Sequence, residues 1–231
     1  MKKSPKKAIE TILTRYLQAA GELPCLEDRL PMLSTYFTEL VQWNRKVNLT
    51  GLRQPEQMIT KHLGDTLVLK NWLPAAGMFT LLDIGTGAGI PGLILKILRP
   101  ETEVWLLDAR RKRISFLHSV IAALGLTGVY AVHGRAGDGK GLDVPHAPPA
   151  FDIVTSQAVG SIKVLSEMAE EFSHTGTKVV AMKGQGGQQE LEMVRAWLEA
   201  RGWHAQTVHG ETPVERRKRI LVVMHRDPRN N

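Results

Sequence analysis

The chain predicts an α/β fold: a mostly parallel seven-stranded sheet that ends in an antiparallel hairpin, preceded by an N-terminal helical extension. Three observations predict it. From Phe79 onward, short apolar runs alternate with helix-compatible segments. The first of those runs, Leu81-Leu82-Asp83-Ile84, breaks into glycines at alternate positions (Gly85, Gly87, Gly89) before an apolar helix begins. The last two runs, Trp203–Val208 and Ile220–His225, lie too close in sequence for a helical crossover and must pair antiparallel.

The elements follow in order. Residues 5–20 and 26–46 have helical periodicity; in the second, Met32, Leu33, Tyr36, Phe37, Leu40 and Val41 form one apolar stripe. A further helix is expected from Pro55 to Trp72, with Met58, Ile59, His62, Leu63 and Leu69 facing inward. Residues 1–75 are thus read as the helical extension and residues 76–231 as the main domain. Strands are expected at Phe79–Ile84, Glu103–Leu107, Val129–His133, Phe151–Thr155 and Lys178–Met182. Helices are expected at Pro91–Leu98, Arg111–Leu124, Ile162–Phe172 and Gln188–Arg201, and the Gly/Pro-rich run Gly137–Pro149 as a loop.

The 231 residues are enough for one good core plus an appendage. The single Cys25 excludes an intrachain disulfide and a cysteine-based zinc cluster, and no metal is implied. No apolar run approaches the roughly 18 residues that a membrane span needs. The basic N-terminus lacks the apolar region of a signal peptide, so a cytoplasmic protein is expected. The net charge is +7, but three clusters (Lys2/Lys3/Lys6/Lys7, Arg110-Arg111-Lys112-Arg113 and Arg216-Arg217-Lys218-Arg219) hold 12 of the 30 basic residues. The remaining 18 are outnumbered by 23 acidic residues. Basicity in patches suits a polyanion such as RNA, although any one cluster is also what a solvated face looks like.

The glycine loop reads as the first half of a nucleotide-binding βαβ unit. Gly87-Ala88-Gly89-Ile90-Pro91-Gly92 fits the dinucleotide fingerprint, and Asp108 follows at a plausible interval for a ribose-binding carboxylate. Asp83 argues for another ligand. A carboxylate just before the loop would repel a pyrophosphate and favour an ammonium or sulfonium group. S-adenosylmethionine carries both, has no phosphate, and still presents a ribose to Asp108.

The stretch Asp83-Ile84-Gly85-Thr86-Gly87-Ala88-Gly89-Ile90-Pro91-Gly92 resembles motif I of class I methyltransferases (Rossmann-like, adenosylmethionine-dependent) in the form used by the glucose-inhibited division protein B family. The resemblance runs over nearly the whole chain. It includes Trp43-Asn44 with Asn48-Leu49-Thr50, His62 with Asp65-Thr66, and Leu107-Asp108 with Lys112-Arg113 and Phe116-Leu117. It continues through Phe151-Asp152 with Ser156, Lys183-Gly184, and Arg219 before Leu221-Val222-Val223. The family methylates guanine N7 in bacterial small-subunit (16S) ribosomal RNA, which the resemblance implies here, with the RNA or a small-subunit particle as partner. Its cofactor contacts carry over to Gly85 and Ile90, to Ala136-Gly137 over the adenine, and to Gln157. At that last position the family usually has arginine; glutamine can hydrogen-bond but brings no charge.

The candidate site is therefore Asp83, Gly85, Gly87, Gly89, Ile90, Asp108, Ala136, Gly137 and Gln157 for the cofactor. Arg110, Arg111, Lys112, Arg113, Lys183, Arg216, Arg217, Lys218 and Arg219 are the candidates for RNA, since all three groups reach the cofactor face if the first hairpin strand runs parallel to the others. Cys25 is far from any strand end, which disfavours a cysteine-nucleophile methylation, and Thr155-Ser156-Gln157-Ala158 lacks the motif of exocyclic-amine enzymes. Guanine N7 needs no general base, so the chemistry is compatible with the resemblance. His62 and Asp65 are either an acid–base pair or a histidine oriented by a carboxylate to pin the helices. Lys183 is either a substrate contact or a solvated lysine. A monomer is expected. A nicotinamide-dependent oxidoreductase and a non-catalytic RNA-binding protein on the same fold stay open as alternatives.

Overall fold

Helix α1 (Pro5–Ala19) starts where the Ser4 hydroxyl accepts the Lys7 amide and Pro5 fills the first position, where no N–H is needed. The helix expected over residues 26–46 is divided into α2 (Leu23–Leu26), a 3-10 turn at Glu27–Arg29 and α3 (Leu30–Val47). Pro31 accounts for the break: inside a continuous helix its ring would collide with the preceding turn, whereas near the start of α3 it is tolerated. The helix expected from Pro55 to Trp72 comprises α4 (Pro55–Met58), a π-helical turn at Ile59–Leu63, and α5 (Gly64–Trp72). Its inward-facing residues Met58, Ile59, His62, Leu63 and Leu69 are all buried. This computed structural model describes residues 4–142, 144, 147–157 and 159–226. Lys2 and Lys3 of the first basic cluster, part of the Gly137–Pro149 loop, and Ala158 lie outside the described residues.

The strands are β1 (Thr80–Ile84), β2 (Glu103–Asp108), β3 (Val129–His133), β4 (Ile153–Ser156), β5 (Lys178–Lys183), β6 (Trp203–Glu211) and β7 (Lys218–Arg226). They form one seven-stranded sheet in the order β3-β2-β1-β4-β5-β7-β6. β1 to β5 pair parallel, and β7 is antiparallel to both β5 and β6. The hairpin strands run longer than their apolar cores suggested, because Glu211 pairs opposite Lys218 and opposite charges support the ladder. β6 therefore points the same way as the parallel strands, and the hairpin loop emerges at their carboxyl ends.

The crossovers are α6 (Gly92–Leu98), α7 (Arg111–Leu124), α8 (Ile162–Ala169) with a 3-10 turn at Glu170–Phe172, and α9 (Gly187–Glu199). Alternate strand residues face opposite sides of the sheet. Leu81, Leu106 and Val180 join α1, α3, α5, α6 and α7 in one core, while Leu82, Trp105 and Val179 join α8 and α9 in the other. The helices of the first 75 residues thus share a core with the sheet. β1 is flanked by β2 and β4, with the following helices on opposite faces, so the strand order reverses there. In such sheets that crevice, at the carboxyl ends of the strands, is where ligands bind. Among the described residues no helix is long and apolar enough to cross a membrane.

Candidate functional site

The loop after β1 is tied to its neighbour by the Gly85 and Thr86 amides, which donate to the Leu107 carbonyl at 2.8 and 3.1 Å. Two of its glycines answer different needs. A Cβ at Gly92 would lie 2.6 Å from Leu106 Cδ2 and 2.9 Å from Asp83 Cβ, so only glycine lets α6 begin this close to β1. Gly87 is held at φ +60°, yet a Cβ there would meet nothing nearer than 3.9 Å. Its constraint is conformational, and a Cβ there would only make ordinary van der Waals contact with Arg113 and the Gly85 carbonyl. Gly85 packs under Val159 and Gly89 against Leu93 and Leu117. Ile90 turns its side chain into the core and leaves only backbone toward the loop.

Asp83 is fully buried. Its Oδ2 accepts the Thr86 hydroxyl at 2.6 Å and the Gly92 amide at 2.9 Å, while Oδ1 has no hydrogen-bond partner among the described residues. Burial pushes its carboxyl up to about 7, against the opposing pull of the Thr86 and Gly92 bonds. Asp108, at the end of β2, accepts the Gly87 amide and Arg113 Nη1 on Oδ2 and the Arg110 amide on Oδ1, each at 2.9 Å. One of the residues expected to bind RNA, Arg113, is therefore paired with Asp108. Tyr36, a buried residue of α3, donates its hydroxyl to the Ala88 carbonyl at 2.9 Å. Ala136 is buried, and the Gly137 amide donates to the Glu171 carboxylate. Neither Tyr36 nor Glu171 carried a functional signal in the sequence: one is an apolar-stripe position, the other a helix-end acid.

A second group of polar residues gathers where α5, β4 and β7 meet. Asp65, only 2% exposed, accepts Arg219 Nε on Oδ1 at 2.7 Å and Gln157 Nε2 on Oδ2 at 2.8 Å, with Lys61 at 3.6 Å. No hydrogen bond joins Asp65 to His62, so the expected pair, in either reading, is corrected. The π-helical turn shifts the angular phase between the two positions, and Asp65 already has a partner on each oxygen. His62 instead places Nε2 at 3.1 Å from the Thr50 hydroxyl, while Nδ1 is unpartnered among the described residues. Burial, aided by the adjacent Lys61, pushes the imidazole down to about 3, so it is neutral near pH 7. Thr50 is held by Asn44, whose side chain accepts the Thr50 amide and donates to the Leu52 carbonyl, both at 2.7 Å.

The other cations are distributed unevenly. Lys183 donates to the Gly160 carbonyl at 3.0 Å and pairs with Glu190 at 3.1 Å, so it is not a solvated lysine. Arg216 and Arg217 each have a glutamate at 3.6 Å. Arg110, Arg111, Lys112 and Lys218 are exposed. Because β6 runs parallel to β5, the Arg110–Arg113 turn, Lys183 and the hairpin loop all emerge at the carboxyl edge with the glycine loop.

A family model described as rRNA small subunit methyltransferase G matches residues 29–219. A Desulfitobacterium hafniense (strain Y51) protein named Ribosomal RNA small subunit methyltransferase G is 45% identical over 71% of this chain and 66% of its own length. A protein of the same name from Streptococcus pyogenes serotype M1 is 44% identical over 68% of this chain and 66% of its own length. The match thus spans just under two thirds of these relatives. Among solved structures, a methyltransferase from Pyrococcus furiosus has a TM-score of 0.56 at 16% identity, covering 84% of this chain and 97% of that one. A mutant of MtNAS in complex with S-adenosylmethionine has a TM-score of 0.55 at 16% identity, covering 95% of this chain and 88% of that one. Both likenesses are of fold.

Proposed function

The chain belongs to the rRNA small subunit methyltransferase G family, and from that premise we propose that it transfers the methyl group of S-adenosylmethionine to N7 of a guanine in small-subunit (16S) ribosomal RNA. The observation that carries the cofactor assignment is the Oδ1 of Asp83, fully buried beside the glycine loop and without a hydrogen-bond partner among the described residues. A pyrophosphate brought to that oxygen would drive its carboxyl further from ionisation. An ammonium or sulfonium group would restore the charge that burial suppresses. The residues present therefore fit adenosylmethionine and disfavour a dinucleotide.

On this reading Asp83 attracts the cationic end of the cofactor, and Asp108 takes the ribose hydroxyls. Ala136 and Gly137 cover the adenine, and Gly85, Gly87, Gly89 and Ile90 shape the passage through backbone groups. Gln157 acts through Asp65, whose orientation it helps fix. When bound, the cofactor supplies an activated methyl group. N7 of guanine offers a lone pair and loses no proton, so the protein's task is to orient the base in line with that methyl. Orientation of this kind contributes about 7–11 kcal/mol in favourable cases. That agrees with the state of His62, the one buried histidine among the described residues, which is neutral and bonded to Thr50.

Residues 1–75 form the substrate-side extension and residues 76–231 the transfer domain, in a cytoplasmic monomer whose partner is the RNA or a small-subunit particle. Arg110, Arg111, Lys112, Arg216 and Lys218 make the phosphate contacts, with Arg113, Lys183, Arg217 and Arg219 joining by exchanging their carboxylates. The test is to map N7-methylguanine in small-subunit ribosomal RNA, by borohydride reduction and aniline cleavage, from cells with and without the gene. One cleavage should disappear with the gene; an unchanged map overturns the proposal. Calorimetry should give heat with adenosylmethionine and none with NADH.

A further inference from the structure

Three cations outside the predicted basic clusters surround one groove. Arg45 and Lys46 close α3, and Arg53 sits in the turn before α4. With Asn44, Asn48 and a floor of Met58 they line a groove of about 780 Å³ that has no carboxylate among the described residues. All three cations are exposed, and none makes an ion pair among the described residues. The nearest acid in sequence, Glu56, is turned away and paired with Arg15.

The contrast with the predicted clusters is one of competition. Arg113, Lys183 and Arg219 each face a carboxylate at 2.9, 3.1 and 2.7 Å, which an incoming phosphate would have to displace. In the groove nothing competes. Its wall is also pre-set: Asn44 clamps the turn at Thr50 and Leu52, and Asn48 is fixed in the left-handed region at φ 53°. A helix C-terminus favours cations, which accounts for Arg45 and Lys46. It does not account for Arg53, which is off the helix and lines the same space. α3 itself lies along the loop and α7. Tyr36 holds Ala88, and Trp43 packs edge-on to Phe116 at 5.8 Å between centroids. The groove and the basic first turn of α7 are therefore on neighbouring helices.

We propose that this groove seats the sugar–phosphate backbone of the substrate RNA strand, with Arg45, Lys46 and Arg53 on phosphates and Asn48 donating from its side-chain amide. The inference rests on the RNA substrate proposed above and adds a surface that the basic clusters do not contain. The test compares the wild type with the Arg45→Gln/Lys46→Gln/Arg53→Gln variant for binding to a small-subunit ribosomal RNA transcript across about 50–200 mM salt. Each lost single-strand phosphate contact lowers the slope of log affinity against log salt by about 0.7, so the variant should lose about 2 of slope and tenfold or more in affinity. Its melting temperature and adenosylmethionine affinity should match the wild type. Arg45→Lys/Arg53→Lys should retain the slope, which a loss of fold would not allow. A wild-type slope in the triple glutamine variant overturns the groove and leaves the function standing. A wild type that neither binds nor methylates the RNA overturns the function and the groove with it.

Discussion

Both corners of the site bury carboxylates, but they hold them by different means. At the glycine loop, Asp83 and Asp108 are held largely by the backbone amides of Gly92, Gly87 and Arg110. At the opposite corner Asp65 is held by two side chains, Gln157 and Arg219, the second of them 154 positions away. A backbone clamp needs a local conformation, so it leaves its mark in one contiguous stretch of glycines. A side-chain clamp needs only that the fold bring two strands' ends to a helix, and it leaves no local mark. The second kind is also the more fragile to substitution, because removing one member strands the others.

The largest expected effect follows from that fragility. Asp65→Ala leaves the Arg219 guanidinium and the Gln157 amide without their acceptor in a nearly closed corner. Breaking a buried pair by removing one partner costs about 3–5 kcal/mol, and the partial exposure of Arg219 places the loss at about 3. Urea denaturation measures it. In a double-mutant cycle with Arg219→Gln the two changes should be non-additive by about 1–2 kcal/mol. Additive losses would mean that the corner is not a clamp.

The same contrast explains what the sequence disclosed. β3 and α7 run where their apolar spacing placed them, at Val129–His133 and Arg111–Leu124, because burial on a defined face sets both pattern and position. β4 starts at Ile153 and not at Phe151, since the Phe151 amide is taken by the Phe172 carbonyl outside the ladder. The glycine loop was legible because its constraint is in the backbone. What stayed hidden was tertiary. The π-helical turn separates His62 from Asp65 with no residue type to announce it. The Tyr36 hydroxyl on Ala88 belongs to a stripe position that reads as core. The carboxylate partner of Arg219, Asp65, lies 154 positions away and appears only when β7 is assembled beside the helices.

A smaller effect should separate packing from passage inside the loop corner itself. Gly92→Ala forces Leu106 and Asp83 apart, an overpacking cost of about 2 kcal/mol. Gly87→Ala meets nothing nearer than 3.9 Å, so its stability loss should be only the left-handed strain, about 1 kcal/mol. The order should reverse for the proposed cofactor. Gly87→Ala puts a methyl group on the loop's proposed cofactor side and should weaken adenosylmethionine binding, read by calorimetry, by more than its stability loss accounts for. Unchanged affinity in Gly87→Ala would remove Gly87 from the passage.

The last comparison concerns an effect that the wild type conceals, because two opposed contributions leave little net change. Asp83 is raised by burial from its ordinary 3.8 to about 7, so the native state holds its proton more tightly than the unfolded chain. Its contribution to stability is greatest below about pH 4, declines as pH rises, and levels off above about 7. His62 is lowered by burial from 6.5 to about 3, so here the unfolded chain takes up the proton first. Its contribution is complete above about pH 6.5 and is lost as pH falls toward 3. Between about pH 4 and 6.5 the two slopes have opposite signs and offset one another. Asp83→Asn should expose the histidine slope, with stability increasing with pH across that window. His62→Gln should expose the aspartate slope, with stability decreasing. Urea denaturation at several pH values reads both. If the two variants were to share one slope, the opposition between the loop's buried carboxyl and the helices' buried imidazole would not exist.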